Sequence, residues 1–258
     1  LSFPAGTFRT AKADSITGET SDGFTYEMGE DYVSITGWTG DKETVTSLIL
    51  PDTIDGQTVT DISVGALENM PLLTELKLPS DLQRFRWFNL SNCGSLKELT
   101  IPKTIEQSGG IEAGTAYGAG FHTALSDSAL ETIILEDGIE YVPNNLCNGL
   151  GTVTKVVIPD SVKTIGQSAF ANADSLAELD IPSSITAIEP YAFEYNDAIT
   201  EITLPEGIET ISYSVFKDCD SLTTVKLPST LRSIGNSAFE NCEALSSVEF
   251  NEGLESIG

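Results

Sequence analysis

The chain has one histidine, His122, and Ser108, Ser126 and Asp127 lie near it in sequence. These are the residue types of a base, a nucleophile and an orienting acid. Acyl transfer needs more than the types, because the base must be held by a third group and the oxyanion must meet aimed N–H donors. All four residues fall in one Gly-rich stretch with no nucleophile elbow or other catalytic motif around them. No enzymatic activity and no cofactor are expected, and His122→Ala should cost no activity. Metal chemistry is as poorly supplied. The four cysteines, Cys93, Cys147, Cys219 and Cys242, include no CxxC pair for zinc, and no EF-hand loop is present. Calcium needs only oxygen ligands, so a melting temperature insensitive to calcium is the check on that remaining option.

The charge balance excludes further classes. Thirty-nine Asp and Glu stand against 13 Lys and Arg, a formal net charge of −26. Such a surface repels phosphate backbones, and no basic stripe is present for nucleic acid. No apolar run is long enough to span a bilayer, so no membrane insertion is expected. The 40% hydrophobic content suffices for a core.

What positions these residues is a repeat. Leu176, Leu179, Ile181, Pro182, Ile185, Ile188, Ala192 and Phe193 recur 23 residues later as Ile199, Ile202, Leu204, Pro205, Ile208, Ile211, Val215 and Phe216. A further shift of 23 gives Leu222 through Ala238 and Phe239, and the unit before runs from Val153 to Phe170. Units also start at Leu245, Leu130, Leu96, Leu73 and Val45, so nine cover about residues 45–258, the last incomplete. The spacing lengthens by 11 between Leu96 and Leu130 and by five around Asp55-Gly56. In L-x-x-L-x-L the last two apolar residues alternate as along a strand with one buried face. The Pro that follows in seven units ends the strand, since it has no N–H for a ladder. The Ser-Ala-Phe step reads as one helical or 3-10 turn per coil, with Ala where coils crowd and Phe inside. Asn69, Asn92, Asn172, Asp218 and Asn241, two residues beyond the Phe slot, are expected to bond a neighbouring backbone amide. A single coil cannot bury its own apolar face, so stability must come from stacking.

Residues 1–44 lack the repeat. Phe24 to Met28 and Tyr32 to Thr36 alternate around Gly29-Glu30-Asp31 and read as a β-hairpin that caps the first coil. The ninth unit breaks off before its Ala-Phe step. Either more repeats follow, the favoured reading, or the open coil pairs end to end with another molecule; a monomer is expected, and light scattering distinguishes the two. Cys219 and Cys242 fill one slot in adjacent coils, near enough for a bridge. Met70, Cys93 and Ala173 share that slot, so buried free thiols are expected.

The pattern I-P-x-x-I/V-x-x-I-G-x-x-A-F-x-x-C/A-x-x-L, present from Ile158-Pro159 through Phe170 to Leu176, resembles the BspA-like leucine-rich repeats. The lead-in Tyr32 to Gly37, Leu50-Pro51, Ile54-Asp55-Gly56 and Val59 to Ile62 is similar to that of many members. The resemblance covers roughly residues 24–258 and departs from the pattern at Glu136 and Asn251, where Pro is missing, and in the Leu96 unit, which lacks its Ala-Phe step. It implies a solenoid of the leucine-rich-repeat type, an extracellular or cell-surface location, and adhesion to a host or bacterial protein. The alternative is a structural stalk that displays other domains and has no ligand of its own.

The outward strand rows, Glu75, Glu98, Thr132, Lys155, Glu178, Glu201, Thr224, Ser247 and Lys77, Thr100, Ile134, Val157, Asp180, Thr203, Lys226, Glu249, carry no aromatic residue. Stacking platforms for sugars usually need one. Two irregularities are better candidates, since binding residues concentrate on loops held by a rigid scaffold. The first is Arg84-Phe85-Arg86-Trp87-Phe88, with two of the chain's four arginines. Here Phe85 takes an inward slot, while Trp87 and Phe88 fall where other units carry Gln167-Ser168. Either these aromatics form a contact with a partner or they pack under the neighbouring insertion. The second is the insertion around Ile105 to Ala124, which contains Tyr117 and His122. Arg84, Arg86, Trp87, Phe88, Tyr117 and His122 are therefore the candidate partner-binding residues.

Overall fold

The computed structural model describes residues 15–85, 90–105, 129–177 and 179–258. Within them most coils begin with a face strand whose inner residue is buried between outward-facing neighbours. In Glu75–Lys77, Leu76 is buried between two exposed residues, and Glu201–Thr203 repeats the pattern around Ile202. Face strands of successive coils pair in parallel. Ser47–Ile49 joins Glu75–Lys77, Glu98–Ile101 joins Thr132–Leu135 and then Lys155–Val157, and Glu201–Thr203 joins Thr224–Lys226. The pairing Leu99 to Ile133 passes straight across the 11-residue insertion, so the extra length leaves the register intact. The shorter insertion is a hairpin in which Thr53–Ile54 pairs antiparallel with Gln57–Thr58. Asp55 and Gly56 both have positive φ, 50° and 78°, the primed turn whose twist matches its flanking strands.

Most coils hold two strands rather than the one expected. Beyond the proline turn, Tyr141–Val142, Thr164–Ile165 and Ala187–Ile188 form a second parallel ladder, and Thr210–Ile211, Ser233–Ile234 and Ser256–Ile257 continue the same slot. The second of the two spaced aliphatics is thus a strand residue. On the N-terminal side Ile16–Glu19, Phe24–Met28 and Val33–Trp38 make an antiparallel meander. Its last strand pairs in parallel with Asp61–Ile62, which pairs with Arg84–Phe85. The fully buried Val33 and Ile35 so extend the second ladder.

The expected helical turn is absent: no α- or 3-10 helix occurs among the described residues. A left-handed residue enters the step at Asn145, Ser168, Tyr191, Ser214 and Ser237, with φ between 52° and 61°, which breaks helical continuity. The amides of the step bond to the next coil instead. Ser168, Phe170 and Asn172 donate to the carbonyls of Pro190, Ala192 and Glu194, and Ser214, Phe216 and Asp218 donate to Asn236, Ala238 and Glu240. On the strand side donation runs both ways, back from Lys155 to Glu131 and from Gly166 to Val142, and forward from Leu50 to Lys77 and from Leu204 to Lys226. Each coil is thereby held to both neighbours along both of its sides.

Inside, Phe170, Phe193, Phe216 and Phe239 stack in one column with centroids 5.4, 5.2 and 5.4 Å apart. Rings in this offset contact add to the burial of their apolar area. Beside the column runs the cysteine slot, and its chemistry is polar as well as apolar. The thiols of Cys219 and Cys242 donate to the carbonyls of Phe193 and Phe216 in the preceding coil, at 3.0 and 2.9 Å, and Cys93 donates to Leu67 at 3.3 Å. Asn196 occupies the same slot and donates to Phe170 at 3.3 Å. At these four positions the slot supplies a donor to a carbonyl of the preceding coil.

Candidate functional site

Of the six candidate partner-binding residues, Arg84 alone lies among the described residues; Arg86, Trp87, Phe88, Tyr117 and His122 lie outside them. Arg84 is the register partner of Asp61, and its Nε sits 2.8 Å from Asp61 Oδ1. A second contact of 3.4 Å reaches Oδ2, which also accepts from the Thr60 hydroxyl. With side-chain exposures of 20% and 13%, the pair is largely covered and ties one coil to the next. The guanidinium is therefore engaged inside the protein.

The strand rows form the expected outward face over Glu98, Thr132 and Lys155 and over Glu201 and Thr224, with Glu178 outside the described residues. Between these blocks the face ladder is interrupted. Leu179 and Asp180 form no strand, and with Ala177, Ile199, Glu201 and Ile202 they line a notch of about 310 Å³. Among its described lining residues, Asp180 and Glu201 stand among aliphatic groups. Among the described residues, no group of three or more His, Cys, Asp or Glu is placed to hold a metal.

The turn side is more informative. Its left-handed slots favour Asn and Asp, whose short side chains tolerate positive φ; bulkier residues pay about 1 kcal/mol or more. Asn69, Asn92, Asn172, Asp218 and Asn241 occupy one such slot with φ of 53–62°. They bond side chain to side chain between coils, Asn92 to Asn69 at 2.8 Å and Asn241 to Asp218 at 2.6 Å, rather than to a backbone amide. One coil departs from this rule twice. Tyr195, φ 56°, stands in the Asn/Asp slot, and Tyr191, φ 61°, stands where Ser168, Ser214 and Ser237 stand in other coils. In the next coil Tyr213 takes the slot that Gln167, Pro190 and Asn236 hold in other coils.

Tyr191 and Tyr195 share one patch of the turn side, since both lie near Glu194 and Lys217. Tyr191 and Tyr213 meet edge to face, with ring centroids 4.9 Å apart and planes perpendicular. Tyr195 and Tyr213 remain 47% and 46% exposed. Carboxylates surround them. The Tyr195 hydroxyl bonds Asp218, which raises the phenol pKa. Partial burial, opposed by Lys217 and reinforced by Asp218, raises that of Glu194. Lys217 lies 3.8 Å from Asp218, and Glu240 is the largest contributor to its raised pKa. Glu189, Pro190 and Tyr213 also wall an open groove of about 570 Å³ that runs on beside Ser212, Ser233 and Asn236.

The thiols are chemically quiet. Burial raises the pKa of Cys147 far above its ordinary value and pushes Cys219 up to about 12, so the thiolate needed for nucleophilic or redox work is suppressed.

The coil geometry is that of a known repeat class. The BspA type leucine rich repeat region model matches in six copies over residues 42–110 and 140–258. The chain belongs to the BspA-type leucine-rich-repeat family. Among solved structures, this family member is similar to a leucine-rich-repeat protein of T. pallidum, with 22% identity, a TM-score of 0.52, and coverage of 89% of this chain and 92% of that one. It is also similar to the pneumococcal vaccine antigen PcpA, with 14% identity, a TM-score of 0.51, and coverage of 93% and 71%. A leucine rich cell surface protein of Faecalibacterium prausnitzii overlays more loosely, with 18% identity, a TM-score of 0.45, and coverage of 94% and 84%. At such identities the likeness establishes the fold. No curated protein matches the chain significantly. No helix among the described residues is long and apolar enough to cross a membrane.

Proposed function

We propose that this chain is a non-catalytic protein-interaction module of the bacterial cell surface or extracellular space, with a host or bacterial protein as its partner. The observation that carries the reading is the exposed tyrosine cluster on a rigid coil stack. Two of its members hold backbone conformations that Asn and Asp adopt more readily, and surface aromatics on a fixed scaffold are the side chains from which interface hot spots are built. The structural likeness to PcpA, a pneumococcal vaccine antigen, supports a location where host molecules are met. The segment Arg84–Phe88 and the insertion with Tyr117 and His122 are proposed as further contacts; unchanged partner binding with lost stability in Trp87→Ala would remove the first, and unchanged binding in an insertion-deleted variant would remove the second. The aromatic-free strand rows favour a second reading, a stalk with no ligand of its own.

A binding screen separates the two. The intact chain is immobilised and exposed to a panel of purified matrix, plasma and bacterial surface proteins at physiological salt. Saturable binding of at least one is expected. Uniform failure across the panel would contradict an interaction module and leave the stalk.

A further inference from the structure

The tyrosine cluster differs from the rest of the surface in more than exposure. Around Tyr191, Tyr195 and Tyr213 lie Glu189, Glu194, Asp218 and Glu240, against the single Lys217. Lys217 lies against Asp218, so the remaining charge of the patch is negative. An aromatic ring face carries a negative quadrupole that attracts a cation, most strongly when carboxylates nearby add to the field. The groove beside Tyr213 gives room for an extended segment. The formal charge of −26 on the chain steers a cationic partner towards it from a distance.

We propose that the face formed by Tyr191, Tyr195 and Tyr213 docks a lysine- or arginine-bearing segment of a protein partner, with ring faces against the cations and Glu189, Glu194 and Glu240 pairing with them. Arginine fits better than lysine, since its planar guanidinium stacks on a ring and reaches a carboxylate at once. A neutral oligosaccharide would use the rings but would gain nothing from the carboxylate charge. This inference rests on the interaction reading above and names the face and the partner chemistry.

The test uses the intact chain and a fluorescein-labelled Arg-Gly-Ser repeat peptide, with its citrulline counterpart as the neutral probe. Binding is read by anisotropy at physiological ionic strength. The variant Tyr191→Ser, Tyr195→Asn, Tyr213→Asn installs residues that other coils carry in those slots, and it keeps the net charge. Circular dichroism and melting should match or exceed the parent, and Tyr195→Asn alone serves if the triple variant does not fold. The parent should bind the arginine peptide and not the citrulline peptide. Loss of the rings should weaken binding about tenfold, the size of two exposed cation–π contacts, and Glu189→Gln with Glu194→Gln and Glu240→Gln should weaken it further. Equal affinity of parent and tyrosine variant would overturn the proposal, because binding would then be diffuse attraction to an acidic body. Equal binding of the citrulline peptide, or binding of maltoheptaose at the tyrosines in place of the arginine peptide, would overturn the partner chemistry. The tyrosine variant is also run through the protein panel. Capture of the same protein by both forms leaves the interaction reading standing and removes this face, whereas capture by neither removes the reading itself.

Discussion

Replacing Phe193 by Ala tests whether the phenylalanine column is what couples the coils. Phe193 is fully buried and has a ring neighbour on each side, Phe170 at 5.4 Å and Phe216 at 5.2 Å. Truncation of a buried Phe costs about 3–5 kcal/mol, cavity included. The two lost ring contacts, at about 0.5–1.5 kcal/mol each, place Phe193 at the upper end of that range. Phe239 is the internal control: it has one ring neighbour, Phe216, and is only partly buried, so Phe239→Ala should cost about half as much. Stability in a coil stack is a sum of nearest-neighbour terms, so the loss at Phe193 should also uncouple the blocks on either side. Equilibrium urea unfolding followed by circular dichroism reads both effects. The expected result is a larger drop in midpoint for Phe193→Ala than for Phe239→Ala, with a broadened or split transition. Equal costs at the two positions, with a single sharp transition in both, would refute the column as the coupling element.

Other consequences concern the carbonyl slot, the carboxylates and the thiols. Cys219→Val, which removes the donor from the buried Phe193 carbonyl, should lower stability by about 1–3 kcal/mol. Cys219→Asn should lose less, because Asn196 already serves the equivalent carbonyl, and a denaturation series checks the order. The Asp52 carboxylate accepts from the Ser80 N–H and hydroxyl, which hold its pKa below the ordinary 3.8. A depressed carboxylate pKa contributes stability that is present above the unfolded pKa and lost as pH falls through the folded one. Ser80→Ala should therefore lower the melting temperature near neutral pH, and the difference should vanish in strong acid; an undiminished difference there would remove the linkage. Cys93, Cys147 and Cys219 are buried, and burial raises their pKa, so an aromatic disulfide reagent should titrate them only after denaturation. Rapid native reaction of Cys147 would contradict its burial.

The repeat was legible because a buried slot tolerates few residue types and recurs at a fixed interval. Leu176, Ile199 and Leu222 announce their shared position without any structural knowledge. The turn side was not legible, because Ser-Ala-Phe is locally compatible with a helical turn. What decides against the helix is the partner of each amide, which lies in the next coil: Phe170 reaches Ala192, and Ser168 reaches Pro190. The sign of φ at Ser168 leaves no mark on a serine. The Asp61–Arg84 pair was within reach, since 23 residues separate the two and the phase places them side by side. The tyrosines were also within reach. Tyr195 in an Asn/Asp slot and Tyr191 in a Ser slot stand out once the turn side is aligned coil by coil. Trp87, Phe88, Tyr117 and His122 stay proposals on sequence grounds.

The claim that a preformed coil stack does the binding is tested most directly by hydrogen–deuterium exchange with and without a saturating captured protein. The account predicts slowed exchange confined to a few adjoining coils, with the amides of Phe170, Phe193 and Phe216 already protected in the free chain. Slowing spread over every coil would mean that the chain orders only on binding, and unchanged exchange at saturation would mean that no described coil is part of the contact; either result would contradict it.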